Sequence, residues 1–480
     1  MTPDHVNPEA PWPHLDRLAE ATRETGRTLT ERLPIYREYA ADPERWIAPE
    51  MRSQTLRMCG TDLNAREDDW YAGASDAAPR WATAALSRAG RATPVSPDIA
   101  RALSRAEGGE SLTREEVAGL FDARGDDFAA VCEAADRLRA EQSGDAVTYV
   151  VNRNINYTNI CTYGCGFCAF SKGRLSQQHR DKPYDLPLDE IAGRAREAWQ
   201  RGATEVCLQG GIRPGYTGET YLAILDAVKT AVPDIHVHAF SPLEVWHGAT
   251  SLGLPLSDYL RRLKDGGLAS LPGTAAEVLD DEVRDILCAD KINTAQWLEV
   301  MRTAHEVGLK STSTIMFGHV DSYVHWANHL LRLRDLQART GGFTEFVPLA
   351  FVHMEAPIYL RGQARPGPTF REAVLMHAVA RLVLSPGIAN IQASWVKMGR
   401  QGAALCLDAG ANDFGGVLMN ESITRAAGAS HGQELRAADI ETLIRASGRI
   451  PHQRRTDYSL VNTDPRDRGP AQARFTTAAE

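Results

Sequence analysis

The sequence has no run approaching the ~20 apolar residues of a membrane-spanning helix, and it has no clustered excess of Lys and Arg, its net charge being −9. The first lack argues against a membrane protein. The second argues against a nucleic-acid surface, whose phosphates want basic residues grouped on one face. No G-x-G-x-x-G or G-x-x-x-x-G-K-S/T stands between a strand and a helix, so dinucleotides and nucleoside triphosphates are unsupported. The opening Met1-Thr-Pro-Asp-His-Val-Asn-Pro has neither a basic lead nor an apolar stretch, and no signal peptide is expected. Five of the eight cysteines (Cys59, Cys132, Cys207, Cys288, Cys406) stand singly, which gives no disulfide framework. Unpaired thiols fit the reducing cytoplasm.

The other three cysteines sit in one short run, Cys161, Cys165 and Cys168, spaced C-x-x-x-C-x-x-C. Three thiolates at that spacing suit one corner of an iron–sulfur cube and leave the fourth iron without a protein ligand. An open iron can bind and reduce a small molecule. The competing reading is a structural zinc site, which normally takes two C-x-x-C pairs or a C-x-x-C with two histidines. No second pair is present.

Hydrophobic content of 43% and charged content of 24% describe an ordinary globular chain. Residues 1–95 are polar and broken by Pro11, Pro13, Pro34, Pro43 and Pro49, and read as a loosely packed helical appendage. A helical lead-in follows over 96–145, where Thr113-Arg-Glu-Glu116 is a capping box. Over 146–455, short apolar, β-branched runs alternate with helical patterns. Strands are expected at 147–153, 205–209, 235–240, 268–271, 311–317, 344–351, 390–395 and 413–416. A further helix is expected to open at the capping box Thr274-Ala-Ala-Glu277. About eight such units predict an α/β fold, a closed TIM-like (β/α) barrel with an N-terminal helical extension. The competing layout is a doubly wound open sheet. Residues 456–480 read as a flexible tail.

In a barrel, reactive groups collect on the loops after the strands. The cysteine loop, Gln209-Gly210-Gly211, Ser241-Pro-Leu-Glu244 and Gly318-His319 all fall there. Gly210 and Gly211 let backbone approach a ligand closely. His236 and His238 share one face of a strand. His353 and Glu355 are expected to face a substrate, as is Glu421 after the last strand. Trp246, Trp297 and Trp326 read as core, and Asp280-Asp-Glu-Val-Arg-Asp as a solvated helix face.

With Phe167 before its last cysteine, the run resembles the signature of radical S-adenosylmethionine enzymes. Asn154-Ile-Asn-Tyr-Thr-Asn-Ile, Gln209-Gly-Gly-Ile, His238-Ala-Phe-Ser-Pro-Leu-Glu-Val, Leu271-Pro-Gly-Thr-Ala-Ala-Glu, Thr314-Ile-Met-Phe-Gly-His, Phe351-Val-His-Met-Glu-Ala-Pro and Ala426-Ala-Gly-Ala-Ser-His-Gly resemble the second-subunit family of 7,8-didemethyl-8-hydroxy-5-deazariboflavin synthase, over about residues 96–455. Residues ~20–75 resemble the tail of the first barrel in fused forms of that synthase.

The resemblance implies a [4Fe-4S] cluster, S-adenosylmethionine and a transferase. A 5′-deoxyadenosyl radical would take hydrogen from the amino group of L-tyrosine, and a 4-hydroxybenzyl radical would add to 5-amino-6-(D-ribitylamino)uracil. It also implies an external electron donor and a separate first-subunit (CofG-type) enzyme. Carried over by position, Cys161, Cys165 and Cys168 hold the cluster. Phe167, Gly210, Gly211, Ser241, Glu244, Thr314 and Met316 contact the cofactor. Tyr157, His238, His353 and Glu421 contact the substrates. Where the family has an acidic pair this chain reads Asn420-Glu421, which motivates an alternative, a repurposed paralogue with another amino acid or acceptor. A cluster- or zinc-binding structural protein is the non-enzyme alternative.

Overall fold

The computed structural model describes residues 14–75, 77–86, 95–172 and 182–461. Among the described residues nine strands run through the second part of the chain: β1 (Ala146–Val150), β2 (Asn152–Asn156), β3 (Glu205–Gln209), β4 (His236–Ala239), β5 (Ser270–Leu271), β6 (Lys310–Phe317), β7 (Phe343–Ala350), β8 (Asp413–Gly416) and β9 (Ile450–Gln453). They pair in parallel as β2-β3-β4-β5-β6-β7 and as β8-β1-β9. Single parallel bridges join the two sets: Phe346 of β7 with Ile391, Gln392 with Asp413 of β8, and Arg153 of β2 with Met419.

β1 and β2 are halves of one strand interrupted at Val151. The ring therefore closes with one position from β1 and β2, five from β3 to β7, one from the 391–392 bridge and one from β8, eight in all. Helices cross between successive strands, as parallel pairing requires. Leu188–Gln200 buries Ile191, Ala192, Ala195 and Ala198 against the sheet. Every residue of Phe370–Leu384 is buried. Such all-round burial needs a second cover, and the helix Gly125–Ser143 lies against it, burying Phe128, Val131 and Ala135. Trp297 and Trp326 are core, as expected, and Trp246 is partly buried against it.

Several expectations are corrected. No helix opens at Thr274: Ala275 and Glu277 take positive φ (61° and 45°), and the helix starts at Asp281, capped by Asp280. Tertiary partners override the local motif, because the Glu277 carbonyl accepts the Met316 N–H at 2.9 Å and its carboxylate meets Lys291 at 2.7 Å. The following helix is not a simple solvated face, since Arg284 and Asp280 are buried. The expected strand 390–395 shrinks to the bridge, because a helix, Trp395–Cys406, begins at its end.

The N-terminal region divides in two. Residues 14–58 expose Tyr36, Tyr39, Trp46 and Met51. Residues 59–75 are fastened to the barrel: the Thr61 N–H donates to Glu372 (2.8 Å), Arg66 donates to Gly367 O (2.8 Å), Glu67 pairs with Arg371 (2.9 Å), and Gly73 N–H donates to Lys397 O (2.8 Å). At the other end Thr456, expected in a flexible tail, is buried and donates its hydroxyl to Glu205. Residues 1–13 and 462–480 lie outside the described residues. Among the described residues no helix is long and apolar enough to cross a membrane.

Candidate functional site

Inside the ring lies a cavity of about 420 Å³, running from the cysteine loop at the carboxyl ends of the strands down to Arg454. The cysteine loop follows β2 and leans on the loop after β3. Gly211 N–H donates to Thr158 O (3.0 Å), Thr162 N–H donates to Ile212 O (2.9 Å), and Ile212 N–H donates to the Cys161 sulfur (3.3 Å). The two glycines make this approach possible. A Cβ on Gly211 would stand 2.3 Å from Ile160 O, and one on Gly210 would stand 2.3 Å from the Tyr157 ring. The far side of the loop is tied down where Gly166 N–H donates to Leu287 O and Gly166 O accepts from Ile358 N–H, each at 2.7 Å.

The three thiols fit a cluster. Burial pushes the Cys165 and Cys168 thiols up, while the Lys291 ammonium acts on both in the opposite sense. Backbone N–H groups of Ser171 and Phe170 favour anionic sulfur at Cys168. Their spacing also bears on the metal. Among the described residues the three sulfurs do not all lie within 4.8 Å of one another. Tetrahedral zinc with Zn–S near 2.3 Å holds its sulfurs only about 3.8 Å apart, so the three thiols as placed suit a multi-iron cube better than a single zinc ion.

Glu244 occupies the centre of the next layer. It closes a capping box at the helix Pro242–Ser251. One carboxylate oxygen accepts from Ser241 N–H (2.7 Å) and the Ser241 hydroxyl (2.5 Å); the other accepts from Gly210 N–H (3.2 Å) and the Tyr157 hydroxyl. Burial pushes its carboxyl up, and these donors pull it back. With both oxygens taken, Glu244 holds the glycine loop in place. Lys291 lies 5.5 Å over the Phe167 ring. Burial lowers its ammonium, but Glu277 and Cys165 hold it above its usual range overall.

Of the expected site residues, the cavity brings together Cys161, Cys165, Cys168, Phe167, Gly210, Gly211, Ser241, Glu244, Thr314, Met316, His238 and Glu421. Tyr157 and His353 are not in its wall. Tyr157 is buried behind Gly210, one step removed. His353, just past the end of β7, packs instead against Tyr71 and Tyr359, with ring centroids at 5.2 and 4.4 Å. Glu355 is also absent from the wall, and so is Asn420, which sits at φ 70° in the left-handed region that Asn tolerates. Its neighbour Glu421 is the member of the pair that lines the cavity.

Sequence reasoning missed most of the polar wall: Asn152 and Asn154 on β2, Glu205 on β3, Glu345 on β7, and Gln392, Lys291, Lys397 and Arg454. The usable signal was an inverted alternation, polar residues at i and i+2 within strands, which in a barrel means polar side chains inside. His238 shares Ser270 with His236, each ring nitrogen 2.7 Å from its hydroxyl, and burial pushes His238 down to about 4. At the bottom Arg454 pairs with Asp413 and with Glu345 (3.1 Å), which also accepts from the Tyr458 hydroxyl. Burial lifts Glu345 to about 7 despite Arg454.

Two family models match the chain: the radical SAM superfamily over residues 155–333, and the CofH/MqnC C-terminal region over residues 340–466. The 5-amino-6-(D-ribitylamino)uracil–L-tyrosine 4-hydroxyphenyl transferase of Methanopyrus kandleri is 51% identical over 333 residues, 69% of this chain and 89% of the relative. The chain belongs to the radical SAM superfamily, in its CofH/MqnC branch. This radical SAM enzyme is also 45% identical to the FO synthase of Streptomyces coelicolor, over 96% of the chain but only 57% of that relative's length. Among solved structures, the FeFe-hydrogenase maturase HydG from Carboxydothermus hydrogenoformans matches with a TM-score of 0.57 at 16% identity, covering 75% of this chain and 80% of its own, a likeness of fold alone. Membership brings a [4Fe-4S] cluster and S-adenosylmethionine, in agreement with the donor set at Cys161, Cys165 and Cys168.

Proposed function

We propose that this radical SAM enzyme transfers the 4-hydroxybenzyl group of L-tyrosine to 5-amino-6-(D-ribitylamino)uracil. The observation that carries the reading is the match to the Methanopyrus kandleri transferase along nearly all of that relative's length. The cavity supports it chemically. Its wall is divided between apolar side chains suited to an aromatic ring (Leu243, Val347, Leu349, Phe351, Leu418) and polar ones suited to a polyol and a ureide (Asn154, Gln209, Gln392).

When bound, the cluster and S-adenosylmethionine supply hydrogen-atom abstraction. The chain supplies placement and dryness. Cys161, Cys165 and Cys168 anchor one end, and Glu244 and Tyr157 hold the Gly210–Gly211 loop against it. Phe167 and Met316 contribute apolar wall. The closed ring of strands keeps bulk water from the reacting groups. An external electron donor, a separate first-barrel enzyme to finish the deazaflavin and a reducing, cytoplasmic setting complete the reading. Eight free cysteines are consistent with the last.

Oxygen-free, reconstituted protein should convert the two substrates, with S-adenosylmethionine and reductant, into one adduct seen by mass spectrometry. Omitting either substrate should abolish it. Cleavage of S-adenosylmethionine without that adduct, or an adduct only with another amino acid, would remove the assignment.

A further inference from the structure

Three cations stand in the described cavity wall: Lys291, Arg454 and Lys397. Lys291 is paired with Glu277 at 2.7 Å, and Arg454 is held by Asp413 and Glu345. Lys397 is different. Among the described residues its ammonium has one hydrogen-bond partner, the Thr424 hydroxyl at 3.1 Å, and no carboxylate within ion-pair range. The residue is half-buried and lines the cavity. A buried ammonium without a counter-ion is strongly unfavourable, and burial pushes Lys397 down to about 8, with the Glu421 charge pulling it partly back.

The surroundings hold Lys397 in place rather than neutralise it. Its carbonyl accepts the Gly73 N–H at 2.8 Å, and the Gly73 carbonyl accepts the Ser430 N–H at 2.8 Å, so the docked N-terminal segment staples the helix start to the loop carrying Glu421 and Thr424. Glu421 accepts the Thr424 N–H through both oxygens, 3.1 Å each, and the Thr424 hydroxyl at 3.3 Å. Cation, hydroxyl and carboxylate thus form one connected group on the cavity wall. It offers charges of both signs, as a zwitterion requires.

We propose that Lys397 binds the α-carboxylate of the amino-acid substrate, with Thr424 linking it to Glu421, which faces the α-amino group. This rests on the tyrosine reading above. A ligand carboxylate supplies the counter-ion that the chain leaves out, and a charge-assisted bond of this kind is worth about 10- to 100-fold in affinity.

The test is calorimetric titration of the reconstituted, unreduced enzyme with S-adenosylmethionine, using L-tyrosine and tyramine, which lacks the carboxylate. The wild type should prefer L-tyrosine about 10- to 100-fold. Lys397→Met should lose that preference while binding tyramine within about 3-fold of the wild type, and Lys397→Arg should recover most of it. A Lys397→Met enzyme that keeps the preference overturns the inference and leaves the tyrosine reading standing. Equal loss of both ligands without recovery in Lys397→Arg also counts against it. A wild type that binds neither ligand removes both readings.

Discussion

The rim and the floor of the barrel are both polar and both buried, yet they treat their charges differently. At the floor Arg454 is matched by Asp413 and Glu345, Tyr458 donates to Glu345, and Glu205 accepts from Thr456 and Asn152. Each charge there has its partner within the chain. At the rim Lys397 is anchored on the Thr424 hydroxyl and, among the described residues, has no carboxylate within ion-pair range. A saturated polar network is a structural device, and an unsaturated one held rigidly is a binding site. The two ends of one cavity show both conditions.

The largest expected effect falls on the rim. Replacing Cys161, Cys165 or Cys168 with alanine should reduce S-adenosylmethionine cleavage to background while the stability of the metal-free protein changes by only about 1 kcal/mol, since each change removes one sulfur from a partly buried side chain. A large fall in stability would erase the distinction between the two ends.

Mild acid should act on the whole barrel. His238, His305, His353 and His377 are pushed by burial to about 4, and His329 to about 3. The unfolded chain binds these protons near pH 6.5 and the folded chain does not. Stability is therefore full above pH 6.5 and falls below it, by up to about 1.4 kcal/mol per pH unit for each proton taken up on unfolding. Urea midpoints across pH 7 to 5 measure this. Activity should fail together with the fold; loss of activity well before unfolding would show the rim titrating separately.

Arg454→Met should cost about 3–5 kcal/mol, because Asp413 and Glu345 would be left buried without their cation. Chemical denaturation reads this directly, and a neutral outcome would mean that the floor is not the closed network described. Gly211→Ala should cost about 1–3 kcal/mol through the clash with Ile160 O. Because the clash displaces the cysteine loop, iron content after reconstitution should fall more than stability does.

Much of this contrast could be read from residue order, but unevenly. The cysteine run, the alternation of strands and helices and the placement of loops after strands follow from local spacing, and the fold agrees with them. Glu244 was visible as a cavity residue, but not as the clamp on Gly210, since that depends on a contact between residues 34 apart in the chain. Lys397 and Arg454 carried no local signal: one lies in a helix and the other just past a short strand, and only closure of the ring turns both inward. Thr274-Ala-Ala-Glu277 shows the reverse failure, a local motif overruled by Lys291 and Met316. His353 lies beyond the end of its strand, where the two-residue alternation no longer tells which side chain faces the cavity.

The floor also sets a timetable for synthesis. β9 pairs Ile450 with Ala146 and Gln453 with Tyr149, so the first strand of the ring meets this neighbour only after about 300 further residues have left the ribosome. Until then β1 presents an open edge, and the carboxylates of Asp413 and Glu345 await Arg454. The ring of eight positions can form before β9 is made, but its floor gains Arg454 only afterwards, and an arrest of translation ahead of that residue would leave an acid-lined shell for the quality-control machinery to remove.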